Sequence, residues 1–294
     1  MSDGRTTLSR RTFMGGTIAA LAASTVASGR LFAADKPDSK FNGVQIGTIT
    51  YSFRSLPGSA EDILKYVTTA GISSIELMDG PAEGYAKAHG SPDDPMAGFK
   101  ALRKFFNDAG VNIHIIKYGN IGDGKMTDEQ IERCFTVAKT LGARGITREL
   151  DGAAAKRLGP IADKHQIMIG FHNHTQIKPD TYDGDILSPG KFLGINLDIG
   201  HYVAGTSQSP LPMIEKHHQR ILSLHLKDRK KGTSGGANMP FGQGETPIAE
   251  VLQYVKKNKL TFPADIELEY NVPKDSDAVK EVTKCVEFCK SALA

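Results

Sequence analysis

Three cysteines, Cys134, Cys285 and Cys289, are all that 294 residues contain, too few for a disulfide-built scaffold. No charge of one sign dominates: 36 basic side chains face 33 acidic ones. Four of the basic residues (Arg5, Arg10, Arg11 and Arg30) and one acidic residue (Asp3) lie in the first 34 residues, so the remainder carries 32 of each. A formally neutral chain gives no electrostatic reason to expect nucleic acid or an anionic membrane as a partner. Beyond the N-terminus no segment is long and apolar enough to span a bilayer. Neither a Gly-x-Gly-x-x-Gly turn after the first strand nor a Walker-type loop is present. With 39% hydrophobic and 23% charged residues, what remains is ordinary globular composition, which excludes disorder and collagen.

The N-terminus reads as an address. Ser9-Arg10-Arg11-Thr12-Phe13 precedes an uncharged stretch rich in Ala and Gly, Met14 to Ser28, in the charged-then-apolar order of a secretory signal. The paired arginines and Phe13 resemble the twin-arginine export signal, with Met14-Gly15 in place of the usual Leu-Lys. The stretch falls short of the roughly 20 residues that a helix needs to span a bilayer, so no stable membrane span is expected. Small residues at Ala27, Ser28, Ala33 and Ala34 permit cleavage between about Ser28 and Asp35. The expected organisation is residues 1–34 as export signal and linker and 35–294 as one domain, periplasmic or secreted. The resemblance implies the twin-arginine machinery as a partner and folding, with any metal loaded, before export. Cys285 and Cys289 lie four apart on an expected helix, a poor disulfide geometry. All three cysteines therefore read as buried thiols.

From Phe41 onward, β-rich runs alternate with stretches of helical apolar spacing. The runs are Val44 to Thr50, Ser74 to Met78, Val111 to Ile116, Gly145 to Glu149, Ile167 to His172, Gly194 to Asp198, Ile221 to Leu226 and Ala264 to Glu269. Helices are expected over Ser59 to Ala70, Met96 to Ala109, Thr127 to Leu141, Ala153 to Lys164, Pro210 to His217, Pro247 to Lys257 and Asp275 to Leu293. Ser59 supplies a start and Gly71 and Gly110 supply stops. The polar stretch between His172 and Gly194 shows no helical pattern and reads as a rim loop. Eight such units in about 260 residues predict an α/β fold, a (β/α)8 TIM barrel.

In such a barrel the catalytic face is built at the C-terminal ends of the strands. Here strand four closes on Glu149, strand five on His172-Asn173-His174, strand six on Asp198 and His201, strand seven on His225, Lys227 and Asp228, and strand eight on Glu267 and Glu269. Carboxylates and one imidazole converging on a rim suit a divalent cation, with Mn²⁺, Mg²⁺ or Co²⁺ favoured and Zn²⁺ acceptable. Each residue has a plainer reading: Glu149 or Asp198 alone is as well a helix cap or salt-bridge partner, and Asp228 a cap. Glu267 and Glu269 share a strand face, and the positions of Pro263 and Ile266 favour Glu267. His114 and the His217-His218 pair read as structural or solvated, His174 as part of a loop, and Glu76 and Lys117 as lesser candidates for touching substrate. The Gly-rich segment from Lys230 to Gly244 reads equally as a mobile lid or a plain surface loop.

Glu149, Asp198-x-x-His201, His225-Leu-Lys-Asp228 and the strand bearing Glu267 resemble, in order and placement, the xylose isomerase-like barrels. These are also called sugar phosphate isomerases/epimerases and include tagatose 3-epimerase and inosose dehydratase. Carried over by position, the resemblance implies Glu149, Asp198, His225 and Glu267 as metal ligands and Glu149 and Glu267 as the acid/base pair. It implies His172, His201 and Lys227 as substrate-binding groups. The chemistry is coherent: a metal on adjacent carbonyl and hydroxyl oxygens acidifies the intervening C–H, and two carboxylates remove and return its proton.

The leading expectation is a divalent-metal-dependent isomerase or epimerase of a small-molecule carbohydrate, a free keto-sugar because export argues against a phosphorylated one. The alternative with the same site is a lyase or hydratase acting on 3-keto-glycosides or inososes. A nuclease like endonuclease IV needs more metals, more His ligands and a basic surface, which the neutral chain does not offer. A carbohydrate-binding barrel without chemistry would bind sugar without metal.

Overall fold

Eight short runs of β-branched and apolar residues pair edge to edge in a computed structural model, which describes Met1 and residues 36–294. The export signal expected over residues 1–34 falls, apart from Met1, outside the described residues. The strands are β1 (Val44–Ile49), β2 (Ser74–Met78), β3 (Asn112–Lys117), β4 (Gly145–Glu149), β5 (Met168–His172), β6 (Leu193–Asp198), β7 (Ile221–Leu226) and β8 (Ala264–Ile266). Each is parallel to the next, and β1 pairs with both β2 and β8, closing the sheet into a barrel. Closure leaves no edge in the ring. Lys40–Phe41 adds an antiparallel pair alongside β1.

The helices are α1 (Ala60–Thr69), α2 (Asp79–Ala88), α3 (Ala97–Asp108), α4 (Asp128–Leu141), α5 (Gly152–His165), α6 (Ile199–Thr206), α7 (Leu211–His217), α8 (Ile248–Lys257) and α9 (Ala278–Leu293). Their starts are chemical. Ser59 and Asp62 form a capping box on α1, and Thr127 and Gln130 form one on α4, so each end satisfies two backbone donors. Asp151 and Asp277 cap α5 and α9 with their carboxylates. Gly142 ends α4 at φ 75°, a left-handed conformation that a residue without Cβ adopts freely. The apolar stripes of these helices pack on outward strand residues such as Ile75, Leu77, Ile146, Phe171, Leu197 and Leu224, all buried.

The (β/α)8 barrel expected from the alternation is the fold found, and no helix forms between Asn173 and Phe192. Two helices were not expected. α2 opens on Asp79-Gly80-Pro81, which reads locally as a turn. α6 follows β6 without a linker and holds Gly200 and Gly205, so its periodicity is masked. The eighth strand ends at Ile266 and not at Glu269. The three cysteines are buried free thiols. Among the described residues no helix is long and apolar enough to cross a membrane.

The interior of the barrel departs from the branched apolar layers usual in this fold. Alternation along the strands turns Glu76, Thr147, His172, Asn196, Ser223, His225 and Asp265 inward, where hydrogen bonds join Thr147 to Glu76, Glu76 to His225, His172 to Asn196 and Asn196 to Ser223. Below them Ser74 Oγ lies 2.8 Å from His114 Nδ1, and His114 Nε2 lies 2.9 Å from Asp265 Oδ2. His114 is thus structural, as its place inside a strand suggested.

Candidate metal and substrate site

At the C-terminal mouth of the barrel, His172, Asp198, His225 and Glu267 each offer a ligand atom within 4.8 Å of the others, and all four are buried. Glu149 stands in an adjoining group with His172 and His174. Three of the four sequence-derived ligands, Asp198, His225 and Glu267, are therefore together. His172, expected to touch substrate, completes their set, and Glu149 lies beside it.

Asp198 ends β6 and caps α6: its Oδ1 accepts the His201 backbone N–H at 2.6 Å. The cap fixes the carboxylate and leaves Oδ2 buried without a hydrogen-bond partner, although Lys227 Nζ lies 2.9 Å away. That contact is an ion pair lacking the alignment of a hydrogen bond. Asn196 Nδ2 donates to Ser223 Oγ at 2.7 Å, so its Oδ1 accepts from His172 Nδ1, also at 2.7 Å. His172 Nε2 is then the lone-pair nitrogen. Burial, and then the Lys117 and His225 charges, push the His172 pKa well below its ordinary value and keep the ring neutral. A neutral imidazole held through its other nitrogen and an unpartnered buried carboxylate oxygen are what a divalent cation requires of a donor set. The residues present fit one.

His225 is held on both sides, Nδ1 at 2.9 Å from Glu267 Oε2 and Nε2 at 2.9 Å from Glu76 Oε2. Burial works against its charge, but the two carboxylates outweigh it and push its pKa up to about 10. Ligation through His225 would release that proton. Glu76 and Glu267 lie below the ordinary carboxylate range. Burial opposes this, and is outweighed at Glu76 by His225, Lys117 and Thr147 and at Glu267 by Lys227 and His225. Glu76, which the sequence offered only as a lesser candidate, is wholly buried under His225 and accepts from Thr147 Oγ1 at 2.5 Å. Its signal was parity, since it faces inward two residues after Ser74 on β2.

Glu149 Oε1 lies 2.8 Å from Lys117 Nζ and Oε2 lies 2.7 Å from His174 Nε2. Burial would raise its pKa, but the His174 bond and the Lys117 ammonium hold it well below the carboxylate range. The same hydrogen bond raises His174. Lys117 and His174 were given lesser or loop readings by the sequence, and both stand on a catalytic candidate.

Lys227 Nζ lies 2.9 Å from Asp198 Oδ2, 3.1 Å from Glu267 Oε2, 2.8 Å from Glu269 Oε2 and 2.9 Å from His201 Nε2. Glu267 thus touches both Lys227 and His225, whereas Glu269 touches the cluster through Lys227 and remains partly exposed. His201 lies between Lys227 and Arg229, and burial lowers its pKa. Asp228 accepts from the amides of Gly242, Gly244 and Thr246 at 2.8, 2.9 and 3.2 Å. With the Asp228–Arg229 and Asn238–Met239 strand pair, it folds the Gly-rich loop into an ordered hairpin. A Cβ at Gly244 would fall 2.0 Å from Asp228 Oδ1, so the clamp requires that glycine.

A family model described as the xylose isomerase-like TIM barrel matches residues 64–289. The chain belongs to this family. Among solved structures, it is similar to a probable 3-DHS dehydratase involved in petrobactin synthesis from Bacillus anthracis. That match has 16% identity, covers 83% of this chain and 98% of the other, and has a TM-score of 0.64. It is similar to 3-keto-D-glucoside 4-epimerase from E. coli, at 12% identity, 84% and 99% coverage and TM-score 0.61. It is also similar to a xylose isomerase-like TIM barrel protein from Mycobacterium smegmatis in complex with magnesium, at 16% identity, 85% and 98% coverage and TM-score 0.58. Curated protein sequences gave no match. At these identities the structural likenesses establish the shared barrel.

Proposed function

We propose that the protein is a divalent-metal-dependent isomerase or epimerase of a free keto-sugar, acting by proton transfer next to a carbonyl. The observation that carries this reading is the convergence of Asp198 Oδ2, the neutral His172, His225 and Glu267 at the mouth of the barrel. Asp198, His225, Glu267 and His172 would hold the cation, with Glu149 alongside. When bound, it polarises the substrate oxygens and acidifies the C–H between them. Glu149, kept ionised by Lys117 and His174, takes the proton, and Glu267 serves the opposite face. Lys227 and His201 orient substrate oxygens, and the hairpin clamped by Asp228 walls one side of the mouth.

The resemblance of Ser9-Arg10-Arg11-Thr12-Phe13 to a twin-arginine signal supports a free sugar and a periplasmic or secreted enzyme. A second reading has an observation of its own: His174 is half exposed and its pKa is raised by Glu149. An acid at the mouth suits protonation of a leaving group, as a lyase or hydratase of 3-keto-glycosides or inososes requires.

The test is elemental analysis and solvent-deuterium exchange on free keto-sugars and 3-keto-glycosides, for wild type and a Glu149→Gln/Glu267→Gln variant. Near-stoichiometric metal, with exchange lost in the variant, supports the metal-assisted site. Products of unchanged mass then mark the epimerase, and an enone with released aglycone or water marks the lyase. Absence of metal after reconstitution, or exchange undiminished in the variant, refutes the reading.

A further inference from the structure

We propose that Lys227 is an internal competitor for the cation: its ammonium and a divalent ion hold the same carboxylates in turn, so metal loading requires Lys227 to withdraw. This rests on the metal-assisted reading above and goes beyond it.

The ammonium stands 2.9 Å from Asp198 Oδ2 and 3.1 Å from Glu267 Oε2, two oxygens of the candidate ligand set. A divalent ion bound to both would place three positive charges within a few ångströms in a dry site. At such separations the like charges repel strongly, which disfavours the ammonium keeping both oxygens once the ion is bound. Lys227 has somewhere else to go. Glu269 Oε2, at 2.8 Å, already shares the ammonium and is the most exposed of the three carboxylates around it. Withdrawal therefore keeps the ion pair with Glu269. The movement is confined to the side chain, because α6 packs directly on the Lys227 backbone: a Cβ at Gly200 would lie 2.4 Å from Lys227 O and 2.8 Å from Lys227 Cβ. A flexible stem on a pinned backbone gives a two-position switch, with the carboxylates paired before loading and the ammonium beside the substrate oxygens after it. The cage thus avoids the penalty of buried, unpaired carboxylates before the metal arrives.

The experiment is calorimetric Mn²⁺ titration of chelator-stripped, substrate-free protein at one near-neutral pH, comparing wild type, Lys227→Met and Lys227→Arg. If Lys227 occupies the cage in nine of ten molecules, apparent affinity is reduced about tenfold. Lys227→Met should then bind Mn²⁺ at least about tenfold more tightly, and Lys227→Arg, which keeps the charge, should gain nothing. Equal or weaker binding by Lys227→Met, or an equal gain in Lys227→Arg, overturns the proposal. Should Lys227→Met not fold without metal, saturating Mn²⁺ must fold it, and failure to do so also overturns it. Mn²⁺ uptake by Lys227→Met alone supports the exclusion and refutes metal-dependent activity in wild type. Uptake by none of the proteins overturns both readings, and equal uptake by all with exchange intact overturns this one alone.

Discussion

Replacing Glu76 by Ala in chelator-stripped protein removes one of the two carboxylates that hold His225. Both side chains of the Glu76–His225 pair are wholly buried, 2.9 Å apart, and Glu76 also takes the Thr147 hydroxyl at 2.5 Å. Breaking a buried pair from one side leaves an uncompensated charge and costs about 3–5 kcal/mol. For a domain of this size each kcal/mol lowers Tm by roughly 2–4 °C, so Glu76→Ala should melt roughly 6–20 °C below wild type. Glu76→Gln keeps the volume and an acceptor for Thr147 but no charge for His225, and its loss should be about 2 kcal/mol. Urea titration followed by circular dichroism, with calorimetric Tm as a second reading, measures both. A loss below about 1 kcal/mol for Glu76→Ala would show that the pair does not hold the barrel interior as the geometry indicates. A larger loss for Gln than for Ala would do the same.

Glu149→Gln should reduce deuterium wash-in from solvent, followed by NMR on a responsive sugar, by about 10²–10⁴-fold, the usual contribution of a general base, with Tm little changed. Glu83 pairs bidentately with Arg133 at 2.8 and 2.7 Å and accepts from Tyr118 at 2.8 Å. Burial is outweighed by these bonds and its pKa is lowered. That stability is present above the ordinary value of about 4.3 and is lost as pH falls through the lowered one, so Tm measured against pH should show a shallower acid decline in Glu83→Gln. Burial pushes the thiols of Cys134 and Cys285 up to about 12 and that of Cys289 well above its ordinary value. Native protein at about pH 8 should therefore resist a thiol reagent that labels all three cysteines after denaturation, as mass spectrometry would report. A Cβ at Gly47 would lie 2.1 Å from Asp265 Oδ1 and 2.8 Å from the Ser74 carbonyl, so Gly47→Ala should lower stability by at least about 1–3 kcal/mol in urea titration.

Much of this arrangement was legible in the chain because a parallel barrel writes its elements locally. Each strand is a short apolar run, four of them ending in the polar residues Lys117, Glu149, His172 and Asp198, and caps such as Ser59 and Thr127 mark helices between them. What was not legible depends on distant neighbours. α2 was hidden by Asp79-Gly80-Pro81, whose turn chemistry is overridden once Ala82 and Ala86 pack into the barrel wall. At the site, the strand-end positions of Asp198, His225 and Glu267 were enough to group them. That His172 and not Glu149 joins their set is a matter of side-chain placement at the mouth, and the bonds to Asn196 and from Asn196 to Ser223 that fix the His172 tautomer run across three neighbouring strands and leave no local signature. Glu76 was discounted for a related reason: a lone acidic residue in an apolar strand shows its purpose only when His225, 149 residues away, is found on it.

The helix cap found at Asp198 does not preclude the ligand role proposed for it, and it shows how the carboxylate is held rigid. Oδ1 is committed to the α6 backbone, so the carboxylate cannot rotate to satisfy its own buried Oδ2. The same division recurs at His172, where one nitrogen is fixed by Asn196 and the other is spared, and at Glu267, whose backbone N–H donates to Leu226 O at 3.0 Å and fixes the chain just beyond β8. In each residue one polar group is tied to the scaffold and another is left for the reaction. A catalytic donor set needs this division, because an atom that secures the fold cannot also be released to a cation or substrate without loosening the element it holds. By the same logic His225, tied through both nitrogens to carboxylates, would have to give up a bond to serve as the proposed ligand. The Glu267–His225–Glu76 chain joins the mouth directly to the buried interior of the barrel.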